Sequence, residues 1–171
     1  MSVSIIPNLL GFISLILYVL SLSSGILRIV FPSLRSTNFF KFVTKYRKEI
    51  GVSAFLFGLI HGVLISVIRR INFFDLQTYR IYFQGIFMLL IFTILAVTSN
   101  NWSIRKLKSN WKKLHSLTYI VLILLPWHIL DKMSGHWSWI TPLSLFILGI
   151  TLFFFLKKVY KHYINLPSQT R

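Results

Sequence analysis

The chain of 171 residues contains no cysteine and only three acidic side chains, Glu49, Asp75 and Asp131, against nineteen Lys and Arg. Without cysteine there is no disulfide, no thiolate metal site, no thioether attachment of a cofactor and no thiol nucleophile. With three carboxylates in distant segments, no pair exists for the acid and base roles of glycosidases or proteases. A phosphate-cradling glycine loop and a serine elbow of the hydrolase type are also missing, so nucleotide binding and acyl transfer have no residues to act through.

What is present is hydrocarbon. Hydrophobic residues make up 55% of the chain and charged ones 13%, with a mean hydropathy of +0.70, too apolar for an ordinary soluble domain. Five runs, at about 5–30, 50–68, 80–98, 115–131 and 138–156, approach the roughly 20 helical residues that cross a bilayer core. Lipid leaves no partner for an open backbone, and the alternation of a membrane barrel is absent, so each run is predicted to be a helix. The expected fold is an all-α integral membrane bundle of about five transmembrane helices, with residues 1–171 forming one domain without internal repeat or attached soluble domain. The first ten residues lack a basic n-region and the apolar run continues to about Phe31, so it reads as a span rather than a cleaved signal. Pro32 ends the first span, "TSNNWS" the third, "DKMSG" separates the fourth and fifth, and Pro142 sits near the start of the fifth.

The basic residues alternate from loop to loop. Residues 28–48 hold six, 105–113 hold five and the tail from Lys157 holds four, against Arg69, Arg70, Arg80 and Lys132 on the other side. Fifteen against four predicts the N-terminus outside and the C-terminus in the cytoplasm, with the second and fourth spans parallel. The positive loops suit anionic membrane lipid and an acidic cytoplasmic partner; their interruption by apolar runs argues against nucleic acid.

Histidine is then the only residue type left to carry chemistry. His136 and His162 fall in a loop and in the basic tail and are set aside as solvated. His61, His115 and His128 fall within spans, where ionisable groups are costly and therefore functional candidates. Counted from Lys48 and Lys113, His61 lies thirteen residues in and His128 fifteen, or roughly 20 and 22 Å, so they share one depth. His115 is two residues from Lys113, about 3 Å deeper, at the interface. Two level imidazoles on neighbouring helices can approach an iron from opposite sides, which makes haem b between His61 and His128 the geometric proposal. Gly58 and Gly62 bracket His61 as "GLIHG", either for close approach of a flat macrocycle or for helix packing. Pro126 is expected to kink the fourth span and re-aim His128, since thirteen residues is about 3.6 turns and a straight helix would point His115 and His128 apart.

"YRKEIGVSAFLFGLIHGVLISV", then "ILAVTSN", then "KLKSNWKKLHSLTYIVLILLPWHIL" resemble the ferric reductase-like transmembrane domain family, and within it the haem-binding membrane subunits of protein-methionine-sulfoxide reductase systems. The resemblance runs from about Arg47 to Leu130 and rests on Gly51 ten before His61, on Thr98 and Ser99, and on Trp111, Leu114, His115, Tyr119 and His128 in order. It implies a b-type cytochrome moving electrons across a bacterial inner membrane, with His61, His115 and His128 at the family's ligand positions. The full subunits have an additional helix before the first span, and larger reductases carry a second histidine on the helix of His61, which this sequence lacks. The resemblance therefore implies one haem on His61 and His128; His115 would serve a second, one-sided haem, a haem propionate, a flavin such as FMN, or a quinone. With no FAD or NADPH domain in these residues, electrons would come in trans from a soluble flavin reductase or quinol. They would leave to an external sulfoxide reductase partner or ferric iron, and no catalytic residue is assigned. Two alternatives from other classes are a small transporter or proton relay using the same histidines without haem, and an assembly subunit in which they only pack.

Overall fold

The computed structural model describes residues 5–68, 76–132 and 138–164. His136, Asp75, Arg69 and Arg70 lie outside them. Helix α1 (Ile5–Val30) ends two residues before Pro32, and a 3-10 turn, Pro32–Ser36, leads into a short helix α2 (Asn38–Lys45) capped by Thr37, whose Oγ1 accepts from Phe40 N–H. Then come α3 (Arg47–Ile68), α4 (Leu76–Val97), the short α5 (Asn101–Leu107) and α6 (Ser109–His115), α7 (Thr118–Lys132) and α8 (Ile140–Ile164). Among the described residues five spans are long and apolar enough to cross a membrane: Ile5–Val30, Arg47–Ile68, Tyr79–Val97, Ser109–Asp131 and Ile140–His162. The chain is an all-α integral membrane protein.

Two spans differ from the sequence expectation. The fifth helix runs on to Ile164 because nothing breaks it after Phe155, and its last turns carry Lys157, Lys158 and Lys161, whose long stems let charge sit beyond the hydrocarbon. The fourth is not one helix. Ser116 and Leu117 separate α6 from α7, and Leu117, Tyr119 and Ile120 bond three residues back instead of four. Pro126 lies inside α7, which forms one helix through it, so the interruption of the span falls ten residues before the proline.

The spans form a closed ring in which α1 packs on α3, α3 on α4, α4 on α7, α7 on α8 and α8 back on α1. The α1–α3 seam is built from small residues. Ser14 Oγ donates to Ala54 O at 2.7 Å, and Cβ atoms added at Gly51 and Gly58 would come within 3.3 and 3.1 Å of Ser21 Oγ and Ser14 Oγ. Close backbone approach of this kind drives helix association where lipid removes any hydrophobic preference for the partner. The 14–54 and 21–47 pairings make α1 and α3 antiparallel. Leu15, Tyr18, Leu22, Ile26 and Val30, spaced three or four apart along α1, form the centre of the core with Ala54, Met88, Ile91, Val121, Leu122 and Leu148. Many outward residues are bulky and apolar, such as Phe83, Phe87, Leu90 and Ile94 along one stripe of α4, as a lipid-facing surface requires. The up-and-down order gathers Arg47, Lys48, Lys112, Lys113, Lys157, Lys158 and Lys161 at one end of the ring, here the basic end.

Candidate functional site

The ring holds a partly open cavity of about 870 Å³ in the half away from the basic end, lined by all five spans and mostly apolar. His61 of α3 and His128 of α7 both line it. The expectation of neighbouring helices needs correction: round the ring α4 lies between α3 and α7 on one side, and α1 and α8 on the other. The two imidazoles therefore face one cavity from helices that α4 holds apart.

Each histidine is seated by a glycine on an adjacent helix. Around Gly11 of α1, an added Cβ would lie 3.0 Å from His61 Cε1 and Nδ1; at Gly85 of α4 it would lie 3.4 Å from His128 Cε1. His61 Nδ1 is 2.6 Å from Pro7 O, and since a carbonyl only accepts, the proton sits on Nδ1. In the neutral ring Nε2 is then the acceptor nitrogen, the arrangement by which a carbonyl orients a metal-ligating histidine. The two glycines flanking His61 divide their roles. Gly58 packs against Ser14, whereas a Cβ on Gly62 would meet nothing within 4 Å, leaving that stretch of cavity wall flat.

His115 does not line this cavity. It ends α6 at the basic end, in a small cluster organised by Thr98. The Thr98 hydroxyl donates to Ile94 O at 2.7 Å, so its 3.2 Å contact with His115 Nε2 has the imidazole as donor. Trp111 Nε1 donates to Thr98 O at 3.0 Å, and the indole stacks on His115 with ring centroids 4.0 Å apart. Three of the motif residues are thus one local clamp. Tyr119, a fourth, accepts from Lys158 Nζ at 2.6 Å and stacks on Phe155. His162 is exposed in the last turn of α8.

Near His128 the acid Asp131 accepts from Arg80 Nη2 at 2.6 Å and from Gln84 Nε2 at 3.0 Å, tying α7 to α4. Asp131 lies three residues after His128, a spacing that puts both on one helix face and was open to reading from the sequence. Pro7, Gly11 and Gly85 carried no such signal, because their roles depend on which helices pack together. Among the described residues no three His, Cys, Asp or Glu side chains converge, so a metal held by protein donors alone has no candidate there.

Comparison with known proteins agrees with the motifs. The profile of the family described as ferric reductase like transmembrane component matches residues 10–126. The protein-methionine-sulfoxide reductase heme-binding subunit MsrQ of Yersinia enterocolitica is 39% identical over 90 residues, covering 49% of this chain and 45% of that protein. The same-named subunit of Brucella anthropi is 36% identical over 87 residues (46% and 38%), and that of Agrobacterium fabrum 39% over 83 (46% and 39%). The matches thus span less than half of the relatives' own length. No solved structure matches.

Proposed function

From the premise that the chain belongs to the ferric reductase-like transmembrane component family, we propose that it is a haem b cytochrome of the bacterial inner membrane, with His61 and His128 as axial ligands of one haem. The observation that carries this reading is the pair of imidazoles on α3 and α7 facing one apolar cavity of about 870 Å³. The residues fit the group. The Pro7 carbonyl turns His61 Nε2 into the ligand nitrogen, the flat wall at Gly62 admits a macrocycle face, and the volume lies within the roughly 300–1,000 Å³ of cofactor pockets. The name heme-binding subunit borne by the relatives supports the same group.

Bound there, haem supplies one-electron chemistry at an iron whose potential follows from its axial ligands and burial. The protein's part is placement. His61 and His128 would hold the iron in the half of the ring away from the basic end, Leu15, Met88, Phe92 and their neighbours keep the cavity apolar, and Gly11 and Gly85 leave room for the two imidazole rings. Electrons enter at the basic end, from a soluble flavin reductase or membrane quinol, and leave at the end that bears Asp131, toward a sulfoxide reductase partner or ferric iron. The relatives' name as a subunit of a methionine-sulfoxide reductase favours the protein partner. His115, clamped by Thr98 and Trp111, marks the entry side, where FMN, a quinone or a second haem would sit; ligating iron through Nε2 would require breaking its bond to Thr98.

The test is the absorbance of the protein purified in mild detergent after haem supply, oxidised and dithionite-reduced. A Soret band with a sharp reduced α-band is expected. Their absence overturns the cytochrome reading and leaves the transporter, proton-relay and assembly alternatives.

A further inference from the structure

The first turn of α8 holds a polar group that the helices do not use. Thr141 lines the cavity, is 1% exposed, and among the described residues its Oγ1 has no hydrogen-bond partner. Hydroxyls elsewhere in the spans behave differently. Ser66, Thr93, Ser144 and Thr151 each donate to the carbonyl one turn back, at 2.7–2.8 Å. That is the ordinary escape for a hydroxyl inside a helix; Thr141, in the first turn, has no helical carbonyl one turn behind it, and a buried donor so placed calls for another partner. Thr141 also stands at the positive end of a 25-residue helix, where an anion is favoured. Phe12 meets Trp139 edge to face, bringing this turn beside the stretch of α1 that adds Asn8 to the same cavity wall. The nearby carboxylate does not oppose an incoming one, because Asp131 is already held by Arg80 and Gln84.

We propose that the N-terminal turn of α8, through the Thr141 hydroxyl, receives a carboxylate of the cavity's occupant. This rests on the haem reading, and under it the porphyrin's carboxylate edge points toward the end of the ring opposite the basic loops. Among the described residues that line the cavity there is no Lys or Arg, so the receptor is built from one hydroxyl and a helix dipole and selects for orientation.

The test is an absorbance titration of the haem-depleted full chain with haem b and with its dimethyl ester, which has the same iron and ring without the two carboxylates. Wild type should bind haem about 10-fold or more tightly than the ester, as expected for a hydrogen bond to a charged group. Thr141→Val, isosteric but without the donor, should reduce that ratio several-fold, while Thr141→Ser should keep it. Equal binding of haem and ester by wild type, or an unchanged ratio in Thr141→Val, overturns the assignment and leaves the haem reading standing. Failure of wild type to take up either compound overturns both.

Discussion

Replacing Gly11 with alanine asks whether α1, which contributes no candidate ligand, governs the geometry of one. The new Cβ would stand 3.0 Å from His61 Cε1 and Nδ1 and 3.3 Å from Cγ, whereas carbon contacts are optimal at about 3.5–4.0 Å. The imidazole must retreat by roughly 0.5 Å to restore contact distance. It cannot do so without straining its 2.6 Å bond to Pro7 O, because Pro7 and Gly11 are one turn apart on the same helix. Overpacking of this size costs about 1–3 kcal/mol, and alanine returns about 1 kcal/mol of helix propensity, so the bundle should lose at most about 2 kcal/mol and stay folded. Haem is affected more, since disturbing the group that orients a metal-bound histidine typically costs about 10–100-fold in affinity. The assay is haem titration with low-temperature spectra of the low-spin form, alongside helix content by circular dichroism. Gly149→Ala serves as control, because a Cβ there meets nothing within 4 Å and lies outside the cavity. If Gly11→Ala binds haem as tightly as Gly149→Ala, with an unchanged spectrum, the proposed seat for His61 is wrong.

Other perturbations separate the remaining parts. His61→Ala and His128→Ala should each abolish the low-spin reduced-minus-oxidised spectrum, whereas His115→Ala should leave one haem bound; loss of all haem only in His115→Ala would refute the pairing. Thr98→Val removes the acceptor that holds His115 Nε2. It should slow reduction by a soluble flavin donor in stopped-flow experiments while the spectrum of the cavity haem stays as in wild type. Arg80→Ala leaves the 11%-exposed Asp131 carboxylate without its cation and should destabilise the protein by about 1–2 kcal/mol, discounted because Arg80 itself is 53% exposed. Arg80→Ala combined with Asp131→Asn should recover much of that loss in a thermal melt, and an additive double mutant would show the pair to be independent.

The architecture was readable because each span answers to a requirement of its own. A run such as Ile5–Val30 must be helical and must cross, whatever its neighbours do, since hydrocarbon offers its backbone no other partner. The breakers at Pro32 and Asn100 acted locally as well, the latter capping α5 by accepting from Ser103 N–H. The depth of His61 and His128 follows from counting along two helices, and both do line one cavity. The break at Ser116–Leu117 has no proline or glycine to mark it in the sequence, and it places His115 on a helix segment separate from that of His128.

By itself, then, the sequence determined the number and approximate extent of the spans, the gathering of basic loops at one end, and which three histidines lie among apolar residues, because all of these depend on each segment's own transfer into lipid. Only the tertiary structure decided that α4 stands between the helices of His61 and His128, that Pro7 and Gly11 seat one imidazole and Gly85 the other, and that the buried Thr141 falls in the cavity wall. These depend on which helix packs against which. Between helices in lipid that choice rests on the fit of small residues such as Gly51, Ala54 and Gly58 against Ser14 and Ser21, a property of pairs of distant segments that no single segment contains.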